Sequence, residues 1–187
     1  MTAASTKDNY FIMTGPMGSG KSTLLKALRE QGQLCVDEPA RQILMEQRVI
    51  QADGVPERDP KIFTALLLSR SVEKFQQMTA ESGPVLFDRG IADCIAYAKL
   101  FDLTLDSYYK AARVYRFNPR VFFLPAWEDI YENDEERKMT FEQARQFGQD
   151  LRKIYISLGY SIIELPKVSA EARAGLILVH MQASKQL

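Results

Sequence analysis

Tyr10-Phe11-Ile12-Met13-Thr14-Gly15-Pro16-Met17-Gly18-Ser19-Gly20-Lys21-Ser22-Thr23 is the stretch whose reading decides the fold. Its first five residues are a short apolar run of the kind buried on both faces of a parallel sheet. Gly15 to Ser22 complete the pattern G-x-x-x-x-G-K-[ST]. Gly18 and Gly20 open backbone conformations closed to residues with a Cβ, so that successive N–H groups turn inward and cradle phosphate oxygens. A helix beginning near Lys21 adds its positive N-terminal end to the cradle. Lys21 is then expected to reach β- and γ-phosphates, and the Ser22 hydroxyl to take one place on Mg²⁺. Gly15, Pro16, Met17, Gly18, Ser19, Gly20, Lys21, Ser22 and Thr23 together form the expected nucleotide-binding segment. A dinucleotide fingerprint is disfavoured, because Thr23 stands where that pattern needs its third glycine.

Outward from this loop, apolar strands and amphipathic helices alternate. Helix is expected over 22–31, with Leu24, Leu25 and Leu28 at helical spacing and Gly32 as its stop. A second strand, Leu34-Cys35-Val36, leads to Asp37-Glu38-Pro39 and a helix over 40–48. After a loop over 51–59 comes a long helix from 60 to about 81, broken by Ser82-Gly83-Pro84. Val85-Leu86-Phe87 delivers Asp88 at its carboxyl end. Helices over 91–101 and 105–115, a strand over 121–124, a helix over 141–158, a strand over 161–165 and a helix over 170–182 complete the series. Five strands alternating with helices predict an α/β three-layer sandwich: a five-stranded parallel sheet with right-handed crossovers, helices on both faces, and ligands at the carboxyl ends of the strands.

The bulk numbers set bounds. A chain of 187 residues, 46% hydrophobic, suits one core and is short for two domains, so 9–187 reads as a single domain after a frayed polar tail over 1–8. The 24 basic and 24 acidic residues cancel, which argues against nucleic acid or an anionic membrane as partner. No segment approaches the roughly 20 apolar residues of a membrane span. The two cysteines, Cys35 and Cys94, read as small buried hydrophobes, a usage that suits a cytoplasmic protein. A monomer or a homodimer is expected.

Several residues outside the loop carry candidate chemistry. Asp88, ending its strand, is placed to meet the Mg²⁺ held by Ser22, or alternatively to cap the helix starting at Gly90 or Ile91. Arg89 beside it can neutralise charge on a transferring phosphoryl group, or pair structurally with Glu38 or Asp88. Glu38 can take the proton of an attacking hydroxyl, with Asp37 a weaker candidate and helix-dipole decoration the bland reading of both. Between Glu38 and Asp88, the choice of general base stays open. Arg41, one turn on, is a candidate for steering an anionic group. The charge-rich stretch 128–138 reads as a lid, about 127–141, whose closure excludes water and brings Arg137 onto the phosphates, with Lys138, Arg145 and Arg152 behind it. His180 receives no catalytic role.

The combination of phosphate loop, Asp37-Glu38-Pro39, Asp88-Arg89-Gly90, the charged stretch and the ending Gly159-Tyr160-Ser161-Ile162-Ile163-Glu164-Leu165-Pro166 resembles a small family of predicted ATPases. That family is related to the nicotinamide riboside kinase domain of the bacterial NAD-biosynthesis regulator, within the wider nucleoside and nucleotide kinase superfamily. Glu38-Pro39 is similar to the Glu-Pro that supplies the base in deoxynucleoside kinases, and Asp88-Arg89 to the Asp-Arg of thymidylate kinases. The resemblance implies a P-loop NTPase fold of the kinase type, strand order 2-3-1-4-5, with a helical lid. The activity it implies is transfer of the γ-phosphate of ATP, with Mg²⁺, to a small-molecule acceptor such as a nucleoside or nucleotide. The alternative is a nucleotide-dependent binding module, a slow NTPase switch acting through a protein partner. Against a GTPase switch, no [NT]-K-x-D pattern occurs in the second half of the chain.

Overall fold

A computed structural model describes residues 5–132 and 139–183. Its centre is the strand β2 (Tyr10–Thr14), every residue of which is buried. Side chains alternate across a strand, and β2 uses both faces. Tyr10 and Ile12 point into one apolar layer, Phe11 and Met13 into the other.

On one side of β2 lies β4 (Val85–Asp88), followed by the edge strand β3 (Cys35–Val36). On the other lie β6 (Arg120–Phe123) and β7 (Ser161–Glu164). All pairings are parallel, with Met13 opposite both Asp88 and Phe122. The sheet order is thus β3-β4-β2-β6-β7. Among the five expected strands this is first beside third and fourth, the order 2-3-1-4-5. The numbering shifts because two short strands were not foreseen, β1 (Ser5–Thr6) and β5 (Tyr115–Arg116), which pair with each other. Residues 5–8, expected to fray, are instead tied down: Lys7 N–H donates to the Arg116 carbonyl at 2.9 Å, and Asn118 Nδ2 to the Asp8 carbonyl at 2.6 Å.

Helices cover both faces. α1 (Lys21–Glu30) and α7 (Ala170–Ala183) pack together on one, with Leu24, Leu28 and Ile177 fully buried against Phe11 and Phe122. The opposite layer holds α3 (Pro60–Gln77), α4 (Ile91–Leu100), α5 (Asp106–Val114) and α6 (Phe141–Ser157), with α2 (Ala40–Val49) beside α3. An aromatic cluster fills it: the Phe75 ring meets Tyr10 and Phe117 edge-on at 5.0 and 4.9 Å between centroids. No helix among the described residues is long and apolar enough to cross a membrane.

Local signals account for the helix starts. Asp59 caps α3, accepting from the N–H groups of Lys61 and Ile62, with Pro60 in the first position. Thr140 and Gln143 close a reciprocal capping box on α6. Because β2 and β4 end side by side, the loop after one and the Asp88-Arg89 turn after the other meet at the same rim of the sheet.

Candidate active site

The loop from Gly15 to Gly20 connects β2 to α1, with Gly18 at φ 72° and Gly20 at φ 85°. A Cβ added at Gly18 would lie 2.4 Å from the Tyr131 ring, so close approach as well as backbone conformation requires glycine there. Lys21 is buried rather than turned to solvent. Its Nζ donates to the carbonyls of Gly15 (2.9 Å) and Pro16 (2.6 Å). Burial, with the Arg89 guanidinium alongside, pushes the Lys21 ammonium down to about 7.

A cavity of about 1160 Å³ opens on this loop. Gly18, Gly20, Lys21, Ser22 and Thr23 line one part of it, and Glu38, Asp88 and Arg89 line another. The three groups that the sequence singled out from different strands are therefore brought together.

Arg89 is the centre of this half. Its backbone is left-handed, φ 67°, a conformation that costs a non-glycine residue about 1–2 kcal/mol. The turn sends the guanidinium back beneath the loop, where Nη1 donates to the Gly15 carbonyl at 3.0 Å and to Asp93 Oδ1 at 3.1 Å. Nε lies 2.9 Å from Glu38 Oε1, an ion pair whose angle is too poor for a hydrogen bond. Burial opposes the Arg89 charge, but Glu38, Tyr97, Asp93 and Asp88 more than offset it and hold the guanidinium well above its ordinary value. Arg89 is paired with Glu38, and its side chain also lines the cavity.

Asp88 does not cap α4. That work falls to Asp93, whose Oδ2 accepts from the Gly90 N–H at 2.9 Å. Asp88 Oδ1 is instead buried with no hydrogen-bond partner among the described residues. Burial and the nearby Glu38 carboxylate push its carboxyl up to about 6. An unsatisfied buried carboxylate oxygen lining the same cavity as the Ser22 hydroxyl offers hard oxygen donors, the chemistry Mg²⁺ selects. Among the described residues no group of three His, Cys, Asp or Glu could hold a metal unaided. A divalent cation here would complete its shell with phosphate and water oxygens, as Mg²⁺ does.

Other expected residues fall differently. Arg137 and Lys138 lie outside the described residues. Of the lid, the described parts include a short 3-10 turn, Glu128–Ile130, and Tyr131, whose ring packs edge-on against Phe141. Arg145 and Arg152 are exposed on α6 and do not line the cavity, Arg145 being paired with Glu142 of its own helix. Arg41 does line it, from the solvent side of α2. A second arginine reaches the phosphate loop, Arg173 of α7, only 4% exposed. It donates to the carbonyls of Ser19 (3.2 Å) and Val168 (2.9 Å) and stacks on Trp127, 4.7 Å from the ring. Tyr97 was also missed; its hydroxyl donates to Glu38 Oε1 at 3.4 Å.

The family model described as an AAA domain, AAA_28, matches residues 10–173, from the first residue of β2 to Arg173. The chain belongs to this family. No curated protein sequence matches it. Solved structures show the fold. The NadR protein in complex with NR superposes with TM-score 0.69 at 16% identity, covering 100% of the AAA_28 chain and 52% of that one, so the chain spans about half of NadR. Deoxyadenosine kinase from M. mycoides with bound dATP gives 0.66 at 14%, covering 92% and 98%. Shikimate kinase from Acinetobacter baumannii in complex with shikimate gives 0.53 at 22%, covering 98% and 96%. The AAA_28 chain thus has the P-loop kinase fold that its motifs resemble.

Proposed function

We propose that this AAA_28 protein is an ATP-dependent phosphotransferase that moves the γ-phosphate to a hydroxyl of a small metabolite of nucleoside size. The observation that carries the reading is the Arg89–Glu38 pair, 2.9 Å apart, on the wall of the cavity that also contains Lys21. A phosphate-binding loop alone suits any NTPase. A carboxylate held by an arginine and a tyrosine beside that loop suits an acceptor hydroxyl whose proton must leave as its oxygen attacks phosphorus.

Under this reading Lys21 leaves the Gly15 and Pro16 carbonyls for the β- and γ-phosphates. Arg89 spreads its charge over the equatorial oxygens of the group in flight, and Arg137 does so from the lid side. Ser22 and Asp88 would hold Mg²⁺, which draws charge from the phosphate oxygens when bound. Glu38 takes the acceptor proton, and Asp88, whose buried Oδ1 has no donor among the described residues, is the oxygen left for the cation. The three arms of Phe63, Tyr97 and Phe101 give the acceptor half of the cavity an aromatic lining suited to a planar ring.

Incubation of the purified protein with Mg-ATP and a panel of nucleosides and small hydroxy metabolites tests this. Mass spectrometry is expected to find at least one phosphorylated acceptor, and Glu38→Gln to lower its rate by about 10²–10⁴ with little change in ATP affinity. If no acceptor gains phosphate and Glu38→Gln leaves slow ATP hydrolysis unchanged, the reading fails.

A further inference from the structure

Asp93 sits in the first turn of α4 and is 2% exposed. A carboxylate that deep must have every lone pair answered, and four donors from three parts of the fold do so. Oδ1 accepts from Thr14 Oγ1 at 2.6 Å and from Arg89 Nη1 at 3.1 Å. Oδ2 accepts from the Gly90 N–H at 2.9 Å and from the Tyr155 hydroxyl. Thr14 is the residue before the phosphate loop, Gly90 the residue after Arg89, and Tyr155 lies on α6, fully buried.

The consequence for Arg89 is geometric. Its Nη1 is fixed between Asp93 and the Gly15 carbonyl, and its Nε faces Glu38. Nη2 makes no hydrogen bond to the described residues, on a side chain that lines the cavity. We infer that Asp93, held by Thr14 and Tyr155, is a positioning residue: it fixes the guanidinium so that Nη2 is the nitrogen presented to the transferring group. The inference rests on the phosphotransfer reading and adds to it a set of buried residues that touch no ligand.

A carboxylate that merely stabilised the fold would need no link to both the start of the loop and the arginine. Here one oxygen, Oδ1, accepts from both Thr14 and Arg89, and so braces the direct bond from Nη1 to the Gly15 carbonyl. Loss of the Tyr155 hydroxyl leaves Oδ2 with the Gly90 N–H alone, which loosens the carboxylate and lets Nη1 drift from Gly15, and so lowers the rate of the chemical step without touching the groups that bind nucleotide.

A double-mutant cycle tests this on Mg-ATP turnover by the full chain. Tyr155→Phe keeps the packed ring and removes one hydroxyl; Thr14→Val removes the other, and Thr14→Ser restores it. Tyr155→Phe and Thr14→Val are each expected to lower kcat about five- to thirtyfold with KM for ATP unchanged, and Thr14→Ser to recover most of the loss. In an Arg89→Ala background neither change is expected to lower kcat further. If Tyr155→Phe lowers kcat by the same factor with and without Arg89, or leaves kcat intact while lowering only Tm, the positioning role is overturned. An Asp93→Asn protein that folds, by circular dichroism, and keeps full kcat would overturn it as well. Failure of every acceptor on the panel to gain phosphate, by contrast, refutes the phosphotransfer reading itself.

Discussion

Lys21 Nζ and Arg89 Nη1 converge on one acceptor, the carbonyl oxygen of Gly15, at 2.9 and 3.0 Å. Two buried cations on one oxygen repel each other, and the lysine yields: burial and Arg89 bring its ammonium down to about 7. A bound polyphosphate supplies the negative charge this arrangement lacks. ATP binding is therefore expected to take up close to one proton at pH 8 and almost none at pH 6, where Lys21 is already charged. Calorimetry in buffers of different ionisation enthalpy measures this, with Lys21→Arg as the baseline. Equal proton uptake by the two proteins at pH 8 would contradict it.

Asp88 carries the opposite sign. Its carboxyl stands at about 6 in the folded protein against 3.8 ordinarily, so between these values the folded state binds more protons than the unfolded one. Stability then falls as pH rises through that window, and the cost is complete above pH 6. Without metal, Asp88→Asn is expected to be more stable than the parent by about 1–3 kcal/mol at pH 7.5, with the gain fading toward pH 4. The same variant is expected to lose the Mg²⁺ dependence of ATP binding. Urea unfolding at the two pH values and nucleotide titrations with and without Mg²⁺ decide the matter, and a destabilised variant at pH 7.5 would be the adverse result.

Gly18 offers a steric test. Alanine there meets a left-handed φ of 72° and a Tyr131 ring carbon 2.4 Å away. Gly18→Ala is expected to cost about 1–2 kcal/mol from the backbone alone and to weaken ATP binding at least tenfold. Adding Tyr131→Ala relieves the collision and not the backbone, so recovery is expected to be partial. Full recovery in the double variant would show that φ at this position carries no cost.

Arg173 provides a reporter. It stacks on Trp127, the single tryptophan of the chain, while donating to the Ser19 carbonyl inside the phosphate loop. Nucleotide binding is expected to change Trp127 fluorescence. Arg173→Lys cannot reproduce the planar stack with both hydrogen bonds, so about 1–3 kcal/mol of stability and several-fold of ATP affinity are expected to go with it. A fluorescence titration gives affinity and environment together, and an unaltered emission spectrum in the variant would show that the stack is unimportant.

The residues legible in the sequence are those whose role is written locally. The loop declares itself in consecutive residues, and Glu38, Asp88 and Arg89 could be placed because each closes or follows an apolar run. Asp93 had a signal that went unread: an acid three residues after Gly90, the spacing of a helix cap. Tyr97, four residues further along α4, follows from it as the next residue on the same face. Arg173 had none, since its contact with Ser19 spans 154 residues and a charged residue on a terminal helix reads as a solvated one. Arg145 and Arg152 failed for the converse reason, their charge density suggesting a lid face while α6 turns them to water. The two short strands escaped because Ser5–Thr6 and Tyr115–Arg116 carry no periodicity over two residues.

β2, buried end to end and flanked by β4 and β6 on its two edges, is the segment least able to open on its own. Its amides are expected to be the slowest to trade hydrogen for deuterium, and the glycine-rich loop follows directly from its final residue. Nucleotide binding is then expected to change exchange in the loop that follows Thr14 and to leave the amides of β2 as they were.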